Sequence, residues 1–252
     1  MDDPFAALAA RPALAPELAA ALDERGFVVI PGAVADDAMP RLQAAYDDAV
    51  ARADGGDVGV GRTTTRVNDF VNRGPAFDDV YTWPPVLDAC RRVIGRPFRL
   101  SALHARTLRA GAAAQELHAD IPRDSDAWPM VGLILMIDDF RADNGATRFV
   151  PGSHRWPGAP AGSAADLLAP HPGEVLACGP AGSAIVFDAS TWHGHTANTS
   201  GAPRRSLQAT FIPRDGRAAT DFAARMRPET LARLGPAARY LLGIDTGPGR
   251  PA

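Results

Sequence analysis

From about residue 62 onward the chain is cut into short apolar or alternating runs by Gly, Pro, Asn and Asp: "TTTRVNDFV", "RLSALHARTLRAG", "MVGLILMIDDF", "GATRFVPGSH", "GSAIVFDAS" and "RRSLQATFI". Runs of this length cannot carry a helical stripe through several turns, and each can bury only one face or a short core segment as a strand. So many short strands in succession require a sandwich or barrel. One helix interrupts the set at about 84–95, "PPVLDACRRVIG", closing at Gly95. Upstream, "PELAAALDER" (16–25) reads as a helix with Pro16 in its first turn and Gly26 as its stop, and "FVVIPGAV" reads as a strand. A second helix is expected over about 36–52 with Asp36 or Asp37 as N-cap, and the end, about 227–243, reads as one or two short helices. The N-terminal helices thus fall within about 5–52. No repeat, low-complexity linker or charge block divides residues 1–252, so one domain is expected.

Charge excludes two partner classes. With 26 basic and 29 acidic side chains and a net charge of −3, the chain has no field that would recruit nucleic acid or an anionic membrane. Cys90 and Cys178 stand alone, without a C-x-x-C pair, so neither a disulfide framework nor a cysteine zinc site is suggested and a reducing cytoplasm is the default. The first residues lack the basic and apolar regions of a signal peptide, and no apolar run is long enough to span a bilayer. Richness in Ala, Gly, Pro and Arg suggests a bacterial source. Oligomeric state is not readable.

His118 and Asp120 in "QELHAD" are separated by one residue, which on a strand aims an imidazole and a carboxylate at one point. Chance predicts about 0.7 such pairs in a chain of this composition, so the pair alone means little. It gains weight from "TWHGHTANTS", where His193 or His195 follows after several predicted strands, as a barrel would need to bring a third ligand alongside. Residues i and i+2 share a face, so strand geometry does not separate the two histidines. Two histidines and one carboxylate leave open positions on the far side of a metal, which suits a non-haem Fe(II) oxygenase, while zinc with the same donors would suit a hydrolase. The discriminator is a co-substrate site. In "GAPRRSLQATFI", Arg204, Ser206, Gln208 and Thr210 form one strand face, and Arg205, Leu207, Ala209 and Phe211 the other. A guanidinium inside a barrel needs an anion, and Arg204 suits a carboxylate gripped bidentately, with Arg205 reaching solvent. The plainer alternative is an arginine paired with an internal acid.

These residues, with "DDFRADNGATRFVPGSHRWPG" and "GSAIVFDASTWHGHTANTSGAPRRSLQATFI", resemble the phytanoyl-CoA dioxygenase family of Fe(II)- and 2-oxoglutarate-dependent oxygenases, over about 20–213 and in the expected order. The resemblance implies a mainly β fold with flanking helices, the double-stranded β-helix or jelly roll. It implies Fe(II), 2-oxoglutarate and O₂ as cofactor and co-substrates. Carried over by position, His118, Asp120 and His193 are the metal ligands and catalytic centre, His193 being five residues before Asn198. Arg204, eleven residues after His193, takes the distal carboxylate of 2-oxoglutarate, with His195, Ser206 and Thr147 beside it. His195 is a departure, since relatives carry a smaller residue there; it either donates a hydrogen bond in the co-substrate pocket or fills space. His104, Arg106, Gln115, Arg66 and Asn68, with Asn72, are candidates for a substrate pocket, against the alternative of structural polar residues. His154 is expected to be a structural hydrogen-bonding residue and His171 a surface one.

The implied activity is hydroxylation or oxidation of a small polar metabolite with release of succinate and CO₂. Asp120 argues against halogenation, because related halogenases lack this carboxylate. Acyl-CoA hydroxylation, a non-catalytic metal-binding jelly roll and a zinc hydrolase are the alternatives; the complete absence of lysine offers nothing for a CoA phosphate. The family resemblance leaves the substrate open. The acidic segment "RDSDAW" (123–128) is either a lid for a polar or cationic substrate or a solvated loop.

Overall fold

The computed structural model describes residues 13–162 and 166–244; the first part of the expected N-terminal helical region, about 5–12, lies outside them. In chain order the elements are α1 (Pro16–Arg25), β1 (Phe27–Ile30), α2 (Met39–Ala51), β2 (Val58–Val60), β3 (Thr64–Val67), α3 (Asp78–Thr82), α4 (Pro84–Ile94), β4 (Phe98–Leu108), β5 (Val131–Met136), β6 (Thr147–Phe149), β7 (Val175–Ala177), β8 (Ala184–Asp188), β9 (His193–His195), β10 (Arg204–Pro213), α5 (Phe222–Arg225), α6 (Pro228–Arg233) and α7 (Pro236–Leu242). Seven strands form one sheet in the order β1-β8-β5-β10-β4-β3-β2, and three form a second, β7-β6-β9. The pairings are antiparallel throughout.

Alternation along the long strands builds two different interiors. Leu133 and Leu135 of β5, Val186 of β8 and Leu207, Ala209 and Phe211 of β10 face outward and pack with Leu22 of α1, Leu42 and Tyr46 of α2, Val86 and Leu87 of α4 and Leu241 of α7. The helices therefore cover one face of the large sheet. On the opposite face, Ile134, Met136, Ile185 and Phe187 pack against Phe149 of the small sheet, whose ring stacks on Phe27 at 4.3 Å between centroids. That apolar plug closes one end of the space between the sheets. The rest of the inner face, on β3, β4 and β10, is polar.

Local chemistry sets the boundaries. Gly26 ends α1 in the left-handed region (φ 82°), donating to Leu22 O, and Gly95 ends α4 at φ 68°. A side chain at Gly26 would also strike Thr191 Oγ1 and the His154 ring, so the helix stop doubles as a contact with the loop before β9. The α2 expectation needs correction at its start. Neither Asp36 nor Asp37 caps it; a tight turn runs from Ala35 to Ala38, and the helix begins at Met39 with Pro40 in its first turn, where a missing N–H costs nothing.

Candidate metal centre and its cavity

The segment carrying His118 and Asp120 is not the strand that the spacing suggested. His118 makes a single antiparallel bridge with His193, while Leu117 N–H turns away to Leu167 O and Ile121 N–H to Ala189 O. The one bridge is reciprocal: His118 N–H donates to His193 O at 2.9 Å and His193 N–H to His118 O at 2.8 Å. Such close passage demands Gly194, because a Cβ there would meet the Gln115 carbonyl at 2.9 Å and the Glu116 carbonyl at 3.0 Å. The loop before His193 is equally fixed. Asp188 accepts from Ser190 Oγ at 2.6 Å, Thr191 Oγ1 donates to Gly26 O, and Ser153 Oγ, from the "PGSH" segment, accepts from Trp192 N–H at 2.8 Å.

These constraints bring one donor atom from each of His118, Asp120 and His193 within 4.8 Å of one another. His118 Nε2 lies 3.5 Å from Asp120 Oδ1, and His193 Nε2 3.7 Å from Oδ2. Each imidazole has its Nδ1 on a carbonyl, Glu116 O at 3.0 Å and Thr191 O at 2.9 Å. A carbonyl only accepts, so Nδ1 carries the proton and the Nε2 lone pair points at the carboxylate. Burial holds the His193 ring down to about 4. Burial works to raise Asp120, but His193 and His118 outweigh it and hold the carboxyl down to about 2. Two imidazoles presenting Nε2 and one carboxylate are a donor set for a divalent transition metal with open positions.

Asp120 and His193 look into a cavity of about 730 Å³, the size range of ligand sites. Its walls include Arg66, Asn68, His104, Arg106, Gln115, Thr147, His195 and Arg204. Thr147 stands opposite His195 in the β6–β9 register, and Arg148 beside it anchors the Gln115 carbonyl at 3.1 Å. Arg204 is only 3% exposed, lies over the Phe140 ring at 3.8 Å, and keeps Nε and Nη1 buried without a partner. Among the described residues no carboxylate pairs with it, so the internal ion pair weighed from sequence is absent. Burial, then Arg106, pushes its guanidinium down to about 9, still a cation at neutral pH. A buried cation with two orphaned donors fits an incoming carboxylate. Asn198, wholly buried, sets its distance from His193: its amide donates to Arg109 O and Ala202 O and its carbonyl accepts from Ser200, stapling the turn between β9 and β10.

Other expectations fare differently. Ser206 faces inward but its hydroxyl donates to Arg106 O at 3.1 Å, and it is not among the cavity walls. His195 donates from Nδ1 to Thr196 O at 2.9 Å, so its remaining nitrogen is an acceptor, 3.4 Å from Thr63 Oγ1, and not the donor expected. Asn72 is buried, its amide held by Asp69 and the Arg225 carbonyl, and is not among the cavity walls. Arg205 does not run free into solvent; Asp138 and Asp47 hold it on the outer face. Residues 123–128 are absent from the walls, with Arg123 bonded to His154 O, so they do not form a lid there. His154 bonds the Asp23 carbonyl as a structural residue, and His171 is half-buried against Trp156 and Trp192. Sequence reading missed the far wall, Asp57, Asp69, Thr220, Asp221 and Arg225, which the C-terminal segment brings across from residues about 150 positions away. Gln208 was visible on the polar face of its strand but was assigned no role.

The sequence profile of the phytanoyl-CoA dioxygenase family matches residues 22–206, most of the chain, including His118, Asp120, His193 and Arg204. The chain belongs to the phytanoyl-CoA dioxygenase family. This family member is 29% identical to dioxygenase trt7 of Aspergillus terreus over 93% of its own length and 86% of the relative's. Its fold matches that of HygX from Streptomyces hygroscopicus, determined with nickel, 2-oxoglutarate and hygromycin B bound (TM-score 0.67, 17% identity, 81% of this chain and 90% of that one). It also matches the α-ketoglutarate-dependent epimerase SnoN from nogalamycin biosynthesis (TM-score 0.65, 23% identity, 84% of each). The phytanoyl-CoA dioxygenase family member is thus a 2-oxoglutarate-dependent dioxygenase by class with a double-stranded β-helix fold. Its curated relatives are fungal, which does not fit the bacterial source read from composition. No helix among the described residues is long and apolar enough to cross a membrane.

Proposed function

We propose that residues 1–252 act as one oxygenase domain that uses Fe(II), 2-oxoglutarate and O₂ to hydroxylate or oxidise a small polar metabolite, releasing succinate and CO₂. The observation that carries this reading is the joint presence, in one cavity, of the His118, Asp120 and His193 donor cluster and the unpartnered Arg204. A zinc hydrolase would have no use for the second.

His118, Asp120 and His193 would hold the iron, which supplies the chemistry coupling O₂ and 2-oxoglutarate to oxidation of a C–H bond. The chain's own contribution is placement. The carbonyls of Glu116 and Thr191 hold the two imidazoles in the tautomer that presents Nε2, and Asp120 adds a fixed negative charge. Arg204 receives the distal carboxylate of the co-substrate with Phe140 beneath its plane, while Thr147 and His195 border the same end. The plug of Phe149, Phe187 and Phe27 excludes water behind the centre. HygX, determined with hygromycin B bound, and SnoN, determined with nogalamycin RO bound, support a small-molecule substrate by analogy of fold.

Anaerobic addition of Fe(II) and 2-oxoglutarate should give a weak visible charge-transfer band that His193→Ala abolishes. A metal-loaded protein without the band, or loss of the band in His195→Ala but not in His193→Ala, would overturn the reading.

A further inference from the structure

The inner face of the large sheet is organised in rows. Arg66, Arg106 and Ser206 stand in register across β3, β4 and β10, and His104 and Gln208 form the next inward-facing row. Among the described residues neither Arg66 nor Arg106 has an ion pair, and Arg106 donates only a long bond, 3.5 Å, to Gln115 Oε1. Burial and then Arg66 depress Arg106, with Asp120 pulling the other way, so the two guanidiniums oppose one another across the β3–β4 pair. In the next row His104 is 8% exposed, lines the cavity, and has its Nε2 buried without a partner.

The acids of the same cavity are already engaged. Asp57 is paired with Arg73 and Arg225, and Asp69 with Asn72 and Arg225. Asp120 faces His118 and His193, and Asp221 caps α5 through Ala224 N–H. Cation and anion therefore do not cancel locally: Asp57 and Asp69 are paired with arginines, while Arg66 and Arg106 have no ion pair among the described residues. 2-Oxoglutarate brings two carboxylates, one for Arg204 and one for the metal, and with a divalent ion in place the Arg66 and Arg106 row keeps its surplus. Met130, Ile134 and Phe187 offer an apolar wall in the same space.

We propose that the substrate of this cavity is an organic acid, its anionic head seated on Arg66 and Arg106 beside His104 and its hydrocarbon body against Met130, Ile134 and Phe187. The inference rests on the oxygenase reading and names the substrate class that reading left open. A cationic substrate would meet the unpaired arginines and be repelled.

The test titrates protein loaded anaerobically with Fe(II) and 2-oxoglutarate against three matched probes, phenylacetate, phenylacetamide and phenethylamine, by calorimetry. The charge-transfer band, followed in parallel, reports the oxygenase reading separately. Phenylacetate should bind at least about tenfold tighter than the amide, as a charge-assisted contact implies, and the ammonium should bind worst. Arg106→Gln should remove the preference while leaving the 2-oxoglutarate midpoint of the band in place. Arg66→Glu, at an exposed position and so the safer variant for folding, should shift the order toward phenethylamine. Equal binding of the three probes, no binding of phenylacetate up to its solubility limit, or loss of 2-oxoglutarate binding in Arg106→Gln would each overturn the proposal. Absence of the band in the wild type would instead sink the oxygenase reading.

Discussion

The two arginines that begin β10 are neighbours in sequence and opposites in circumstance. Arg205 points to the outer face, where Asp138 accepts from it at 2.7 Å and Asp47 of α2 accepts at 2.7 Å, tying the sheet to a helix. Arg204 points inward and is more deeply buried, yet among the described residues it has no ion-pair partner. A buried cation without a counter-charge lowers the stability of the free protein, and one with two carboxylates at a helix–sheet seam raises it. The outer face is built for folding and the inner face for a ligand that folding does not supply. One residue of register separates the two.

The largest expected effect tests the inner residue. Arg204→Leu should weaken 2-oxoglutarate binding by about a hundredfold or more, since a desolvated bidentate contact is lost, while the melting temperature of the ligand-free protein stays level or rises. Titration of the charge-transfer band and a thermal melt read the two halves; a variant that melts well below the wild type would show that Arg204 has a structural partner after all. The second contrast is mass action. At 2-oxoglutarate concentrations a hundred times its dissociation constant, with metal present, the wild type should gain about 2.7 kcal/mol of stability and Arg204→Leu almost none. Equal stabilisation of both proteins would place the co-substrate elsewhere.

On the outer face the signs reverse. Arg205→Ala should destabilise by about 1–3 kcal/mol in denaturant titration, because it leaves the half-buried Asp138 uncompensated, with 2-oxoglutarate affinity within about twofold. A large affinity loss there would erase the distinction between the faces. Smallest of all is Asp47→Asn. Asp47 is 61% exposed, so its bond to Arg205 is worth less than about 1 kcal/mol, and the effect should vanish in high salt.

That inner and outer faces could be told apart in the sequence follows from the period of two along "RRSLQATFI", which physics enforces wherever one side of a strand meets a core. The motifs "QELHAD" and "TWHGHTANTS" were legible for the same reason that they are short: the chemistry needs specific donors a few atoms apart. What escaped was decided by which partner each group takes, near or far in sequence. Asp69 stands three residues before Asn72, but nothing nearby announces that the same amide will also donate to the Arg225 carbonyl, 153 residues on. Nothing in "HGH" shows that Thr196 O will take the one proton of a neutral His195. The start of α2 was misjudged because a good capping residue was present and the backbone used Pro40 instead. For residues 123–128 charge left a lid and a solvated loop both open, because position, not charge, decides what reaches a cavity.

The reciprocal amide bonds between His118 and His193 have a consequence for reversibility. Donor residues locked to each other through their backbones do not separate when the space between them is emptied. A chelator should therefore strip the ion from folded protein and a fresh ion re-enter within seconds, without the slow phase that a site assembled by folding around its metal would show. The protein would then pass between metals while its sheet stays closed.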